Sequence, residues 1–170
     1  MADPALLALA ERLQAVCVGA GLRVAVAESC TGGRVADALT DIAGASAYVA
    51  GGVIAYEDAA KQALLGVPRS TLEAHGAVSA QVAVAMAEGA RARLATDLAV
   101  AVTGIAGPGG ATPGKPVGLT YVAAADASGS TVRRFTWTGD REANKASSAH
   151  AALELLIERA EAGARRPGKG

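Results

Sequence analysis

The sequence predicts an α/β fold, a three-layer α/β/α sandwich around a mixed, mostly parallel sheet. Short apolar segments bounded by turn residues alternate with stretches whose apolar residues recur at helical spacing. That series ends in two strand-like segments joined by a tight turn, a hairpin that must pair antiparallel. The 170 residues are 51% hydrophobic but only 3% aromatic, with much of the apolar content alanine, so the core is expected to be aliphatic and closely packed. A chain of this length buries roughly 70% of its unfolded surface and needs no disulfide framework.

Leu6, Leu9, Ala10, Leu13, Val16 and Cys17 define a first helix over residues 3–19, with Pro4 tolerated in its first turn and Gly19 and Gly21 ending it. Residues 22–27 suit a strand buried on both faces. Within residues 27–33, A-E-S-C-T-G-G, this strand gives way to a helix that runs to about Thr40, with Ser29 or Thr31 as the expected cap. After the small-residue loop 41–47, residues 48–56 read as a second strand broken by Gly51 and Gly52. Asp58 is expected to cap the next helix, with Leu64 and Leu65 buried and Gly66 closing it.

Ser70 and Glu73 have the spacing of a capping box for a short helix ending near Gly76. Ser79 can cap the following helix, in which Val82, Met86 and Ala90 share a side. Residues 97–103, D-L-A-V-A-V-T, form the clearest buried strand, and the glycine- and proline-rich run 104–118 is too full of breakers for regular structure. A loop that long is usually functional or mobile. The hairpin is expected over 119–125 and 131–138, followed by a helix capped by Asp140 and reaching about Ala162, with Leu153, Leu156 and Ile157 inward. Residues 1–162 read as one domain and 163–170 as a disordered tail.

Charge and composition narrow the partners. Sixteen basic and sixteen acidic residues balance without a basic stripe, which argues against nucleic acid and anionic membranes. No apolar run reaches a membrane span and the N-terminus lacks a signal pattern, so a soluble cytoplasmic protein is expected. Neither His75 nor His150 has a neighbouring Cys, His or carboxylate at ligand spacing, so no metal is expected. Residues 109–115, G-G-A-T-P-G-K, match the core of a phosphate loop, but Pro116 stands where Ser or Thr must hold magnesium and a strand follows in place of a helix. A dinucleotide fingerprint fails because G-A-G-L at 19–22 precedes its strand.

With no histidine favoured as a base, a serine activated by lysine is the remaining route to hydrolysis. Ser29 and Ser46 are the candidate nucleophiles and Lys61 the candidate base, in the first turn of its helix where the dipole disfavours a cation. Such a lysine must be brought from about 10.4 toward neutrality by burial and positive potential. Tyr56, at the end of its strand, could orient Lys61 or relay a proton. Cys30, beside a helix start, is a lesser alternative with a lowered pKa.

Several separated motifs, A-E-S-C-T-G-G at 27–33, G-G-V-I-A-Y at 51–56 with A-K at 60–61, H-G-A-V-S at 75–79, M-A-E-G-A at 86–90, T-G-I-A-G-P at 103–108 and K-P-V-G at 115–118, together resemble the CinA C-terminal domain family. The resemblance covers about residues 5–160 and implies a stand-alone nicotinamide mononucleotide deamidase of α/β/α fold. It implies hydrolysis of the substrate's carboxamide to nicotinic acid mononucleotide and ammonia without metal or organic cofactor, and a homo-oligomer. It also maps Ser46 as nucleophile, Lys61 as base and Tyr56 beside them, with Thr103, Gly104 and Arg141 holding substrate. Ser29, Thr31, Gly32 and Gly33 then form the phosphate- and pocket-forming turn, with Ser29 the alternative nucleophile. At Gly109 the chain departs from relatives that often carry an acid. A nucleotide-binding module without turnover and hydrolysis of another amide remain as alternatives.

Overall fold

The computed structural model describes residues 3–166. In chain order the elements are α1 (Pro4–Ala20), β1 (Val24–Glu28), α2 (Arg34–Thr40), a 3-10 turn (Ala45–Ala47), β2 (Val49–Ile54), α3 (Asp58–Leu65), α4 (Arg69–His75), α5 (Ala80–Arg93), β3 (Leu98–Gly104), β4 (Leu119–Asp126), β5 (Gly129–Thr136) and α6 (Arg141–Ala164). The five strands lie in the order β2-β1-β3-β4-β5. β1 pairs parallel with both β2 and β3, whereas β3–β4 and β4–β5 pair antiparallel, giving the mixed sheet of an α/β fold.

Strand alternation sends different side chains to the two faces. Val24 and Val26 of β1, Leu98, Val100 and Val102 of β3 and Val122 of β4 pack with α1, α2 and α6. Ala25 and Ala27, Ala99 and Ala101, Ala123 and Ala125 meet α3, α4 and α5. One face is therefore branched and bulky, the other nearly all alanine. Each buried branched side chain contributes about 1.5–3 kcal/mol. The alanine face gains less per residue but lets α5 lie close to the strands. The close packing extends to α3: a Cβ on Gly89 of α5 would stand 1.9 Å from the Leu65 carbonyl oxygen, so only glycine fits there.

Several local details differ from expectation. Glu57, not Asp58, precedes α3, and Leu64 is about half exposed while Leu65 is buried. Ser70 lies inside α4, whose first turn follows Pro68, and Glu73 pairs with Arg69 at 2.6 Å in place of a capping box. Pro68 occupies the N-cap position in extended backbone, and the helix start has no side-chain cap. Ser79 and Asp140 do cap their helices, accepting from Val82 N and Ala143 N at 3.2 and 2.8 Å. α6 continues to Ala164, two residues into the expected tail; residues 167–170 lie outside the described residues. No helix among the described residues is long and apolar enough to cross a membrane.

Candidate active site

With β1 between β2 and β3, the chain leaves β1 in one direction and returns on its other side, so the carboxyl ends of β1 and β3 form a switch point. Crevices at such points are where open α/β sheets take ligands. A cleft of about 240 Å³ opens there, lined by Ser29, Cys30, Tyr56, Lys61, Thr103 and Arg141, by Ala77 and Val78, and by much of the stretch from Gly104 to Gly110. Ser29 directly follows β1 and its N–H donates to Val102 O of β3 at 3.0 Å, which ties the serine to both strands. Among the described residues no carboxylate lines the cleft.

The turn after β1 is organised by Glu28. Its buried carboxylate accepts from Gly33 N and Val35 N through Oε2 at 3.0 and 3.1 Å and from Ala36 N through Oε1 at 2.9 Å. Those are the free donors of the first turn of α2, so the last residue of the strand caps the helix that follows. The expected caps, Ser29 and Thr31, are not used; α2 begins after Gly33, at φ 103, with no cap from its own side chain. Gly32, at φ 63, closes the turn by donating to Ser29 O at 3.2 Å. Thr31 is buried outside the cleft lining, and its Oγ1 has no hydrogen-bond partner among the described residues.

Lys61 is 1% exposed. Its Nζ donates to Tyr56 O at 2.9 Å. Burial pushes its pKa below the ordinary 10.5, against the opposing pull of Asp58 and Cys30. A buried side chain whose ammonium has a single protein acceptor favours the neutral amine. Cys30 behaves oppositely to the sequence expectation: burial drives its thiol up to about 11, so it is not a thiolate nucleophile.

Arg141, at the start of α6, donates to Gly107 O at 2.8 Å and to the Tyr56 hydroxyl at 3.3 Å. Asn144, one turn on and 1% exposed, donates to Ala106 O and accepts from Gly139 N, each at 3.0 Å. The two side chains pin the glycine-rich stretch against α6. Thr103 Oγ1 donates to Ala77 O at 2.8 Å and fixes the opposite wall. Lys115, from the rejected phosphate-loop match, donates to His75 O at 2.6 Å at the end of α4.

The topology does not bring Ser46 to Lys61. Ser46 is exposed in the 3-10 turn that precedes β2, whereas Tyr56 and Lys61 follow β2. The six residues of β2 separate them by roughly 17 Å at about 3.3 Å per residue. The serine on the Lys61 side of the sheet is Ser29, buried and in the cleft lining. The mapping of Ser46 as the serine paired with Lys61 is therefore corrected. Tyr56, Thr103, Gly104 and Arg141 do share the cleft with Ser29 and Lys61; Gly32 and Gly33 shape the adjoining turn.

Sequence reasoning passed over Glu28 and Asn144. A carboxylate ending a strand five residues before a Gly-initiated helix was the available signal for the first. For the second it was the spacing from Arg141, three residues along one helix. Among the described residues no group of three or more His, Cys, Asp or Glu side chains could hold a metal ion.

Fold and cleft define an α/β protein with a crevice at the carboxyl ends of its strands that carries a buried serine and a buried lysine. The chain belongs to the CinA C-terminal domain family, whose sequence model matches residues 6–160. It is 51% identical over 139 residues to a CinA-like protein of Geobacter sulfurreducens, covering 82% of this chain and 34% of that protein. It is 54% identical over 138 residues to a CinA-like protein of Mycolicibacterium vanbaalenii, covering 81% and 33%. The chain thus spans about a third of the length of these curated relatives. Among solved structures it superposes on the competence/damage inducible protein CihA from Agrobacterium tumefaciens with a TM-score of 0.90 at 42% identity, covering 93% of this chain and 97% of that one. A CinA superfamily protein from Escherichia coli gives 0.88 at 32% identity, covering 94% and 93%.

Proposed function

We propose that this domain is an amidohydrolase that converts nicotinamide mononucleotide to nicotinic acid mononucleotide and ammonia, with Ser29 as nucleophile and Lys61 as base. The observation that carries this reading is the buried Lys61, held toward its neutral form in the same cleft as Ser29. Neutral Lys61 takes the Ser29 hydroxyl proton as Oγ attacks the carboxamide carbon. The resulting ammonium returns that proton to the departing nitrogen, which leaves as ammonia, and a nicotinoyl ester remains on Ser29. Water, deprotonated in turn by Lys61, breaks the ester and restores the serine.

Ile105 N already donates to Leu119 O and Pro108 has no N–H, so the backbone N–H groups of Ala106, Gly107, Gly109 and Gly110 are the candidate donors for the oxyanion, each worth on the order of 3 kcal/mol. Arg141 and the absence of lining carboxylates suit a substrate bearing a phosphate.

The test is ammonia release from nicotinamide mononucleotide, compared with nicotinamide and nicotinamide riboside. Turnover of the mononucleotide that disappears in Ser29→Ala and in Lys61→Met supports the assignment; full turnover by either variant overturns it. A second reading, binding without hydrolysis, is favoured by the direction of the Lys61 Nζ hydrogen bond, to Tyr56 O and not to Ser29. Calorimetric binding of the mononucleotide with no ammonia released by the same preparation would establish it.

A further inference from the structure

We propose that Lys145 is a second side-chain ligand, beside Arg141, for the anionic group of the molecule that occupies the cleft. Identifying that group as a phosphate ester rests on the nucleotide reading above; the site itself rests on charge and placement. Lys145 stands one turn after Arg141 on α6, and residues four apart share a helix face. Its Nζ lies 3.8 Å from where a Cβ on Gly32 would sit, which places the ammonium against the turn that carries Ser29 and Cys30.

The charge in this region is unbalanced. Among the described residues Lys61, Arg141 and Lys145 form no ion pair, a condition shared with Arg23, Arg91, Arg93, Lys115, Arg134 and Arg165. Of these only Lys145 combines partial burial with neither an ion pair nor a hydrogen bond, since Arg91 and Lys115 donate to Asp97 O and His75 O. The nearest buried carboxylate, Glu28, already accepts three backbone N–H groups of α2. Arg141 is bonded only to a carbonyl and a phenol oxygen, and Lys145 has no hydrogen-bond partner among the described residues. Arg141 is exposed but Lys145 is half-buried, and a half-buried cation with no partner loses hydration without compensation unless an anion enters. Lys145 stands outside the cleft lining itself, but its positive charge reaches Cys30, which is part of that lining, and opposes the burial that raises the thiol. A lysine is a point charge on a flexible stem and complements the fixed fork of Arg141 around a tetrahedral anion.

Calorimetry on the full chain, its Lys145→Met variant and its Lys145→Arg variant tests this with two probes, nicotinamide mononucleotide and nicotinamide riboside, which lacks the phosphate. Lys145→Met should bind the mononucleotide about tenfold or more weakly, as expected for loss of a charge-assisted contact, with riboside affinity unchanged and Lys145→Arg restoring the difference. An unchanged affinity for the mononucleotide, or an equal loss for both probes, overturns the proposal. So does a parent chain that binds the mononucleotide no more tightly than the riboside. Ammonia release measured on the same preparations separates the two readings. Phosphate-selective binding without release sinks the amidase and leaves Lys145 in place, whereas release with a silent Lys145→Met does the reverse.

Discussion

Lys61 donates to the main-chain oxygen of Tyr56 at 2.9 Å, tying the buried ammonium to the turn that begins its own helix. One acceptor for three donors leaves the charge poorly compensated, and burial lowers the lysine's pKa. The sign of the resulting pH dependence is fixed. Between the folded and unfolded pKa values the unfolded chain binds the extra proton, so stability rises with pH and the penalty is complete below the folded value. Lys61→Met should therefore raise the melting temperature near neutral pH, and this advantage should shrink as pH climbs toward 10.5. Thermal melts of both proteins across that range check it. Under the proposed mechanism, kcat/KM of the unaltered chain should increase with pH through the same lowered pKa, because only the neutral amine accepts the proton.

Ser46→Ala should leave turnover unchanged, since its hydroxyl is at the far end of β2 from Lys61. Ser29→Ala should lower kcat on the order of a thousandfold or more, as loss of a covalent nucleophile does. Measuring steady-state kinetics on the two alanine variants side by side decides between the serines.

Glu28→Ala strips acceptors from Gly33, Val35 and Ala36 N–H at a buried helix start. At about 1–3 kcal/mol for each buried donor left without a partner, the loss should reach about 3 kcal/mol or more. Glu28→Gln keeps acceptor capacity on one oxygen and should lose less. Urea unfolding with an unchanged slope gives both values.

The alternation of apolar runs and helical spacings made the α/β sandwich, the hairpin and the caps at Ser79 and Asp140 legible in the sequence, because each depends on contacts only a few residues apart. The site was half legible. Lys61 was marked by its unfavourable place near a helix start and Ser29 by the strand-to-helix junction. Choosing between Ser29 and Ser46 required strand direction, since both serines precede Lys61 and neither spacing reveals which end of the sheet it occupies. Glu28 was hidden for a related reason. Its bonds reach five to eight residues forward across a turn built on two left-handed glycines, a geometry that no local periodicity encodes.

Gly89→Ala adds a methyl group into the Leu65 carbonyl and should destabilise the chain by about 1–3 kcal/mol, even though alanine is the better helix former. A denaturation midpoint above that of the parent would contradict the close approach of α5 to α3.

The Glu28 cap also determines how this cleft can change. A helix start whose N–H groups were open to solvent would offer an anion a fixed backbone cradle that no single substitution could retune. Here those donors are occupied from within, and under the proposed assignment recognition passes to Arg141 and Lys145, two side chains on one helix. Preference for one anion over another can then drift by point mutation along a single face of α6 while the turn bearing Ser29 keeps its shape.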